Sequence, residues 1–256
     1  MDITKYMGNP NEKPLDNIVN DGGFCGIFRK IAAIGDSLSS GEFEVEKYGN
    51  KQYLDCFDYS WGQFLGRIAG CEVLNFSRGG MTASEYCTSF GEANDYFNPE
   101  KKVNAYIIAL GVNDVYNRGD KIGSVEDINL DGTSNHSDTF AAYYGELILR
   151  YKKISPDAKF FLVSPPDDKE IKNNRGKKTE QLLQLFKDMA IYFDNCYVID
   201  LFHFAPKYDS EFKKNFYLNG HMNPQGYLLT AKIIASYIDW IIRNNPTDFA
   251  LTGLPW

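Results

Sequence analysis

Lys30-Ile31-Ala32-Ala33-Ile34-Gly35-Asp36-Ser37-Leu38-Ser39-Ser40-Gly41 decides how the chain is read. An apolar run long enough for a buried strand stops at Gly-Asp-Ser, and small polar residues follow. A parallel strand delivers a hydroxyl to the carboxyl edge of a sheet in this way, and open α/β folds place ligands on that edge. The same pattern suits an ordinary strand followed by a capped turn, because Asp and Ser also cap turns and helices for local reasons. Three later stretches bear on the choice, each closing an apolar run with a polar group that a hydroxyl nucleophile would need.

Working outward, residues 1–28 are rich in Asn, Asp, Gly and Pro and carry no sustained period. They are expected to form an N-terminal arm, in part mobile, lying on a single domain of residues 29–256. A polar loop is expected over about 38–57. Trp61, Phe64, Leu65 and Ile68 recur at helical intervals, and Gly70 closes that helix. Residues 72–76 read as the second strand, ending in Ser77-Arg78-Gly79-Gly80, and a helix is expected over about 82–96. The near-continuous apolar run 103–110 suits a central strand and ends in Gly111-Val112-Asn113-Asp114. Residues 116–138 form a polar insertion long enough for a rim or lid. Helices are then expected over 139–154, 179–193 and 223–243, and strands over 160–164 and 197–201. Such alternation predicts an α/β fold, one parallel five-stranded sheet wrapped on both faces.

Composition narrows the function. The net charge of −7 argues against nucleic acid and anionic membrane surfaces as partners, and no stretch reaches the apolar length of a membrane span. The N-terminus shows no basic-then-apolar signal pattern. The five cysteines are odd in number, scattered and never spaced as Cys-x-x-Cys. They read as reduced thiols and point to a cytoplasmic protein rather than to a disulfide frame or zinc site. Lys169, Lys172, Arg175, Lys177 and Lys178 read as a solvated loop and helix start.

Serine is a poor nucleophile without a base and without donors awaiting the oxyanion. Ser37 stands at the first strand tip. Gly80, beyond the second, lets a backbone N–H approach a substrate closely. Asn113, beyond the third, offers a side-chain amide. Of the three histidines, His136 lies in the insertion, His203 follows the fifth strand, and His221 precedes the last helix in Asn219-Gly220-His221-Met222-Asn223-Pro224.

Gly35-Asp36-Ser37-Leu38, Gly80, Gly111-Val112-Asn113-Asp114 and His221-Met222-Asn223-Pro224 resemble, in order and spacing, the four sequence blocks of the SGNH (GDSL) hydrolases. The resemblance covers about residues 30–243. It implies a three-layer α/β/α sandwich resembling flavodoxin, with Ser37 as nucleophile and His221 as base. It also implies an oxyanion hole from Ser37, Gly80 and Asn113, and neither a metal nor an organic cofactor. The implied function is a serine esterase hydrolysing carboxylic esters through an acyl-enzyme, with acylated carbohydrates as one substrate class. A thioesterase, a lysophospholipase, or a degenerate relative that binds a sugar or acyl ligand without turnover are the alternatives.

One departure stands out. The family usually has an aspartate three residues before the histidine, and here that position is Leu218. A carbonyl or the Asn219 amide then holds the ring, or a carboxylate such as Asp200 or Asp209 substitutes, or catalysis is lost. Asp36 is expected to shape its turn and Asp114 to fix the loop presenting Asn113. His203 is expected to pack in a loop, and Arg78 to be solvated or structural.

Overall fold

A computed structural model describes residues 4–9, 11–131, 137–168 and 175–252. His136, Lys169 and Lys172 lie outside the described residues.

Strand β1 (Lys30–Gly35) is buried from its second residue onward. Its side chains alternate between two cores. Ala32 and Ile34 join one, and Ile31 and Ala33 join the other. The same alternation divides Tyr106 and Ile108 from Ala105 and Ile107, and Phe160 and Leu162 from Phe161 and Val163. A strand with an apolar residue at every position has no wet face, so helices must cover both sides.

The sheet has the order β4–β1–β5–β6–β7, with β4 (Glu72–Asn75), β5 (Ala105–Ala109), β6 (Lys159–Val163) and β7 (Cys196–Ile199), and every pairing is parallel. Helices α2 (Phe140–Ile154) and α3 (Arg175–Tyr192) cover one face. Helices α1 (Trp61–Ala69) and α4 (Pro224–Asn244) cover the other. This is the three-layer α/β/α sandwich expected from the sequence. The winding reverses between β1 and β5, and open sheets of this order bind ligands at the carboxyl ends of the strands flanking that reversal. Ser37 follows one of those strands and Asn113 the other.

Several local expectations need correction. The loop expected over 38–57 contains an antiparallel hairpin, β2 (Glu42–Lys47) with β3 (Asn50–Asp55). Its two-residue turn sets Tyr48 at φ 55° and Gly49 at φ 76°, the two positive values that match the twist of paired strands. The helix expected over 82–96 is a composite, with a π-helical stretch over Tyr86–Phe90 between two short α-helical pieces. The polar insertion expected over 116–138 begins within a run of π-helical turns, Val112–Arg118. Two short helices, Leu201–Phe204 and Ser210–Phe216, occupy the connection after β7.

The described part of the N-terminal arm is fastened to α4. Arg243 reaches both carboxylate oxygens of Glu12 at 2.7 and 2.9 Å, and the Trp240 indole donates to the Glu12 carbonyl at 2.9 Å. Further along, the Phe24 N–H donates to Asp239 Oδ1 at 2.8 Å.

Candidate active site

Asp36 and Ser37 open a one-turn helix, Ser37–Ser40, directly at the tip of β1. The Asp36 carboxylate caps it, with Oδ1 accepting the Leu38 N–H at 3.1 Å. Its Oδ2 accepts from Asn113 Nδ2 at 3.3 Å, so one side chain shapes the serine turn and ties it to the loop after β5. Asp36 is buried, and burial raises its carboxyl to about 6.

Asn113 is held from three sides. Besides Asp36, its Nδ2 donates to the Met81 carbonyl at 3.2 Å, and its Oδ1 accepts from Asn117 Nδ2 at 2.7 Å. The next residue, Asp114, accepts the Ala83 N–H at 2.7 Å through Oδ1, which is the loop-fixing bond expected of it. Burial pushes that carboxyl up to about 7. The Gly80 loop is fastened to β1 in turn, with Ser77 Oγ donating to the Ala33 carbonyl at 2.8 Å. Gly80 itself takes φ 72°, a conformation that side chains disfavour. The three strand tips expected to converge are therefore linked by hydrogen bonds. Arg78 pairs with Glu85 and lies over the Phe90 ring, the structural role expected of it.

His221 sits on a two-residue strand, β9 (His221–Met222), paired with β8 (Tyr217–Leu218). The tight connection needs a residue at positive φ, and Asn219 supplies it at 57°. Its amide is thereby spent elsewhere, donating to the Glu44 carbonyl at 3.0 Å. Leu218 pairs with His221 through the backbone, and its side chain is exposed. Asp200 accepts both the His203 N–H and its ring Nδ1, and Asp209 caps the helix Ser210–Phe216. His203 is thus part of a surface ion-pair cluster rather than a packed loop residue.

The carboxylates beside the His221 ring come from β2. Glu44 Oε2 lies 3.5 Å from Nδ1, and Glu42 Oε1 lies 3.1 Å from Nε2. Neither glutamate was singled out in the sequence. The signal was nevertheless there, because Glu42-Phe43-Glu44-Val45-Glu46 alternates with the period of a strand and a Tyr-Gly turn follows. Period two puts Glu42 and Glu44 on one face, and the side chain of Phe43 packs into the core behind.

The two carboxylates have opposite environments. Glu44 is buried, Lys51 Nζ lies 2.6 Å from its Oε1, and the Gly220 N–H donates to its Oε2 at 3.1 Å. The Lys51 bond holds its carboxyl below the usual range, against the effect of burial. Among the described residues Glu42 has no lysine or arginine partner. Burial raises its carboxyl, with His221 pulling the other way and the neighbouring Asp55 and Glu44 adding to the rise. Both are packed against glycines, since a Cβ at Gly220 would collide with Glu44 Oε2 and one at Gly79 with Glu42 Oε2.

The one-turn helix bearing Ser37 packs against β2 and β9. Among the described residues the Ser37 hydroxyl makes no hydrogen bond to His221, whose Nε2 faces Glu42. Below the strand tips lies a cavity of about 70 Å³, with a mainly apolar wall that includes Leu38, Val112, Pro165, Met222 and Ile234.

The site brings a hydroxyl at one strand tip near amide groups on two adjoining tips and a histidine beside a buried carboxylate. The chain belongs to the GDSL-like lipase/acylhydrolase family, whose model matches residues 33–229. No curated protein matches it significantly. Solved structures share the fold at low identity. A possible lipase from Chitinophaga pinensis is 16% identical, covers 85% of this chain and 98% of its own, and superposes with a TM-score of 0.56. A carbohydrate esterase family 2 enzyme with a carbohydrate-binding domain, from Corynascus thermopiles (Myceliophthora fergusii), is 15% identical at a TM-score of 0.58, covering 83% and 66%. Est24, a carbohydrate acetylesterase from Sinorhizobium meliloti, is 15% identical at 0.51, covering 83% and 99%.

Proposed function

We propose that this protein is a serine esterase that cleaves short-chain carboxylic esters of carbohydrates through an acyl-enzyme. The observation that carries the reading is the assembly around His221, in which the buried Glu44 carboxylate lies 3.5 Å from Nδ1, where the usual aspartate is missing. In the proposed reaction His221 takes the proton of Ser37 as its Oγ attacks the ester carbonyl. The backbone N–H groups of Ser37 and Gly80 receive the oxyanion, and Asn113 Nδ2 turns to it one of the two hydrogens it otherwise directs at Asp36 and Met81. The protonated ring then passes its proton to the departing alcohol, and water releases the acid by the reverse sequence. Glu44 orients the ring and offsets its charge, as the third member of a triad does.

The polar character of the insertion over 116–138 supports short acyl groups, since no long apolar run there offers a channel for a lipid chain. The carbohydrate esterases among the structural neighbours support the alcohol side. A second reading, a non-hydrolytic binding module, is favoured by the pairing of Nε2 with Glu42 rather than with Ser37. A fluorophosphonate probe separates them. One adduct at Ser37, absent in Ser37→Ala, together with hydrolysis of p-nitrophenyl acetate faster than of the octanoate, supports the esterase. A folded protein that neither labels nor hydrolyses any chain length is a binding module.

A further inference from the structure

The hairpin β2–β3 contributes more than Glu44. Glu42 Oε1 faces the nitrogen of His221 that must exchange a proton with Ser37 and with the leaving alcohol. Its Oε2 lies over Gly79, next to the oxyanion loop, and takes no hydrogen bond from any described residue. A carboxylate oxygen without a donor thus stands between the His221 ring and the loop carrying Gly79 and Gly80. Across the hairpin, Tyr53 pairs in register with Glu44. Its ring meets the His221 ring edge to face, centroids 5.8 Å apart, while 55% of the residue stays exposed. An accessible aromatic face and a free carboxylate oxygen therefore flank one imidazole.

We propose that the hairpin builds the alcohol-side subsite, and that its ligand is a neutral sugar or polyol ester. Glu42 accepts hydrogen bonds from hydroxyls next to the scissile oxygen, and the Tyr53 ring packs on the face of the sugar ring. This rests on the esterase reading and names the recognition that the reading leaves open. An arriving hydroxyl also draws Glu42 away from Nε2 and frees that nitrogen for Ser37. Anionic alcohols are disfavoured, because Asp55 sits opposite Glu42 in the hairpin and Glu44 lies two residues on, while Lys51 is bound to Glu44. Among the described residues the charged neighbours of Glu42 in the hairpin are the carboxylates of Asp55 and Glu44, and like charges repel strongly where water is partly excluded.

The test compares methyl 6-O-acetyl-glucoside with cyclohexylmethyl acetate, a primary ester of like ring size without hydroxyls. Wild type should favour the glucoside in kcat/KM, and Glu42→Ala should lower the glucoside-to-cyclohexylmethyl ratio about tenfold, the scale of a hydrogen bond to a charged group. Tyr53→Ala should lower kcat/KM for both ring esters relative to ethyl acetate. Acetyl-coenzyme A, an anionic thioester, should be the poorest substrate and should improve in Glu42→Gln. Equal losses on all esters in Glu42→Ala overturn the subsite, since Glu42 would then act on His221 alone. A wild type without preference for the glucoside overturns it as well. If Ser37 takes no fluorophosphonate adduct, the esterase reading fails and calorimetry with methyl β-glucoside becomes the test. Binding that is lost in Glu42→Ala supports the subsite, and no binding to wild type overturns it.

Discussion

Two histidines in this molecule carry the same local decoration in different settings. His203 has Asp200 at Nδ1, 2.9 Å away, and Glu180 at Nε2, 3.1 Å away. His221 has Glu44 and Glu42 in the same two places, at 3.5 and 3.1 Å. By distance alone His203 is the better-made pair. What differs is burial and company. The His203 side chain is 42% exposed and that of His221 15%, and His221 lies on a strand packed against the serine turn. Asp200 is three residues from His203 and caps the same short helix, so that pair is a product of local sequence. Glu44 is 177 residues from His221 and meets it through two hairpins. A histidine–carboxylate pair is therefore no sign of a base by itself, and burial and the neighbouring elements separate these two.

The comparison breaks most easily at the histidines themselves. His221→Ala should lower kcat/KM for p-nitrophenyl acetate by at least about 10⁴-fold, and His203→Ala should leave it within a few-fold. A large loss in His203→Ala would make the surface cluster part of the machinery.

The carboxylates come next. Glu44→Gln keeps the shape and removes the charge, and should cost about 10³-fold in kcat, somewhat less than a triad acid at a closer contact. Asp200→Asn and Asp209→Asn should change the rate only a few-fold. Leu218→Asp should not raise it, because Glu44 already lies beside Nδ1, 3.5 Å away. Collapse of activity in Asp200→Asn with survival in Glu44→Gln would reverse the assignment.

Smaller still is Asn113→Ala, expected to reduce kcat by about 10²- to 10³-fold with KM little changed, since its bond strengthens only as charge develops on the oxygen. A change confined to KM would make Asn113 a substrate-positioning residue.

The smallest effects are on stability against pH, and they have the same sign for different reasons. Burial raises Asp36 from 3.8 to about 6, so the folded protein holds a proton there that the unfolded chain releases. Stability should therefore fall as pH rises from about 4 to about 6, and Asp36→Asn should flatten that slope in urea titrations. His203 is raised chiefly by its bond to Asp200. Its protonated form thus stabilises the fold fully below the unfolded value near 6.5, and the contribution fades as pH climbs through the folded value. The difference between wild type and His203→Gln should shrink over that window, and modestly, because the pair is exposed.

Much of this was legible in the sequence because it is local. An apolar run with no polar face must be a strand covered on both sides, and alternation with amphipathic helices leaves a parallel sheet as the solution. In a parallel sheet all carboxyl ends share one edge, so Ser37, Gly80 and Asn113 could be placed together from strand ends alone. Asp114 was read correctly for the same reason, because its bond to Ala83 joins two neighbouring loops at that edge. The alternating Glu42–Glu46 segment was equally local, and the strand in it was there to be read.

The partner of the His221 ring was of another kind. Asn219 and Leu218 are its neighbours in the chain, and the turn geometry directs the Asn219 amide to the Glu44 carbonyl instead of to the ring. Glu44 reaches His221 only because β2 lies beside the 217–222 hairpin, and nothing within either segment encodes the other. Local sequence determined the sheet, its edge and the residues at its tips, since those follow from periodicity and strand direction. Which carboxylates face the imidazole was decided by tertiary packing, because a contact spanning 177 residues depends on where two separate hairpins dock and not on the pattern of either.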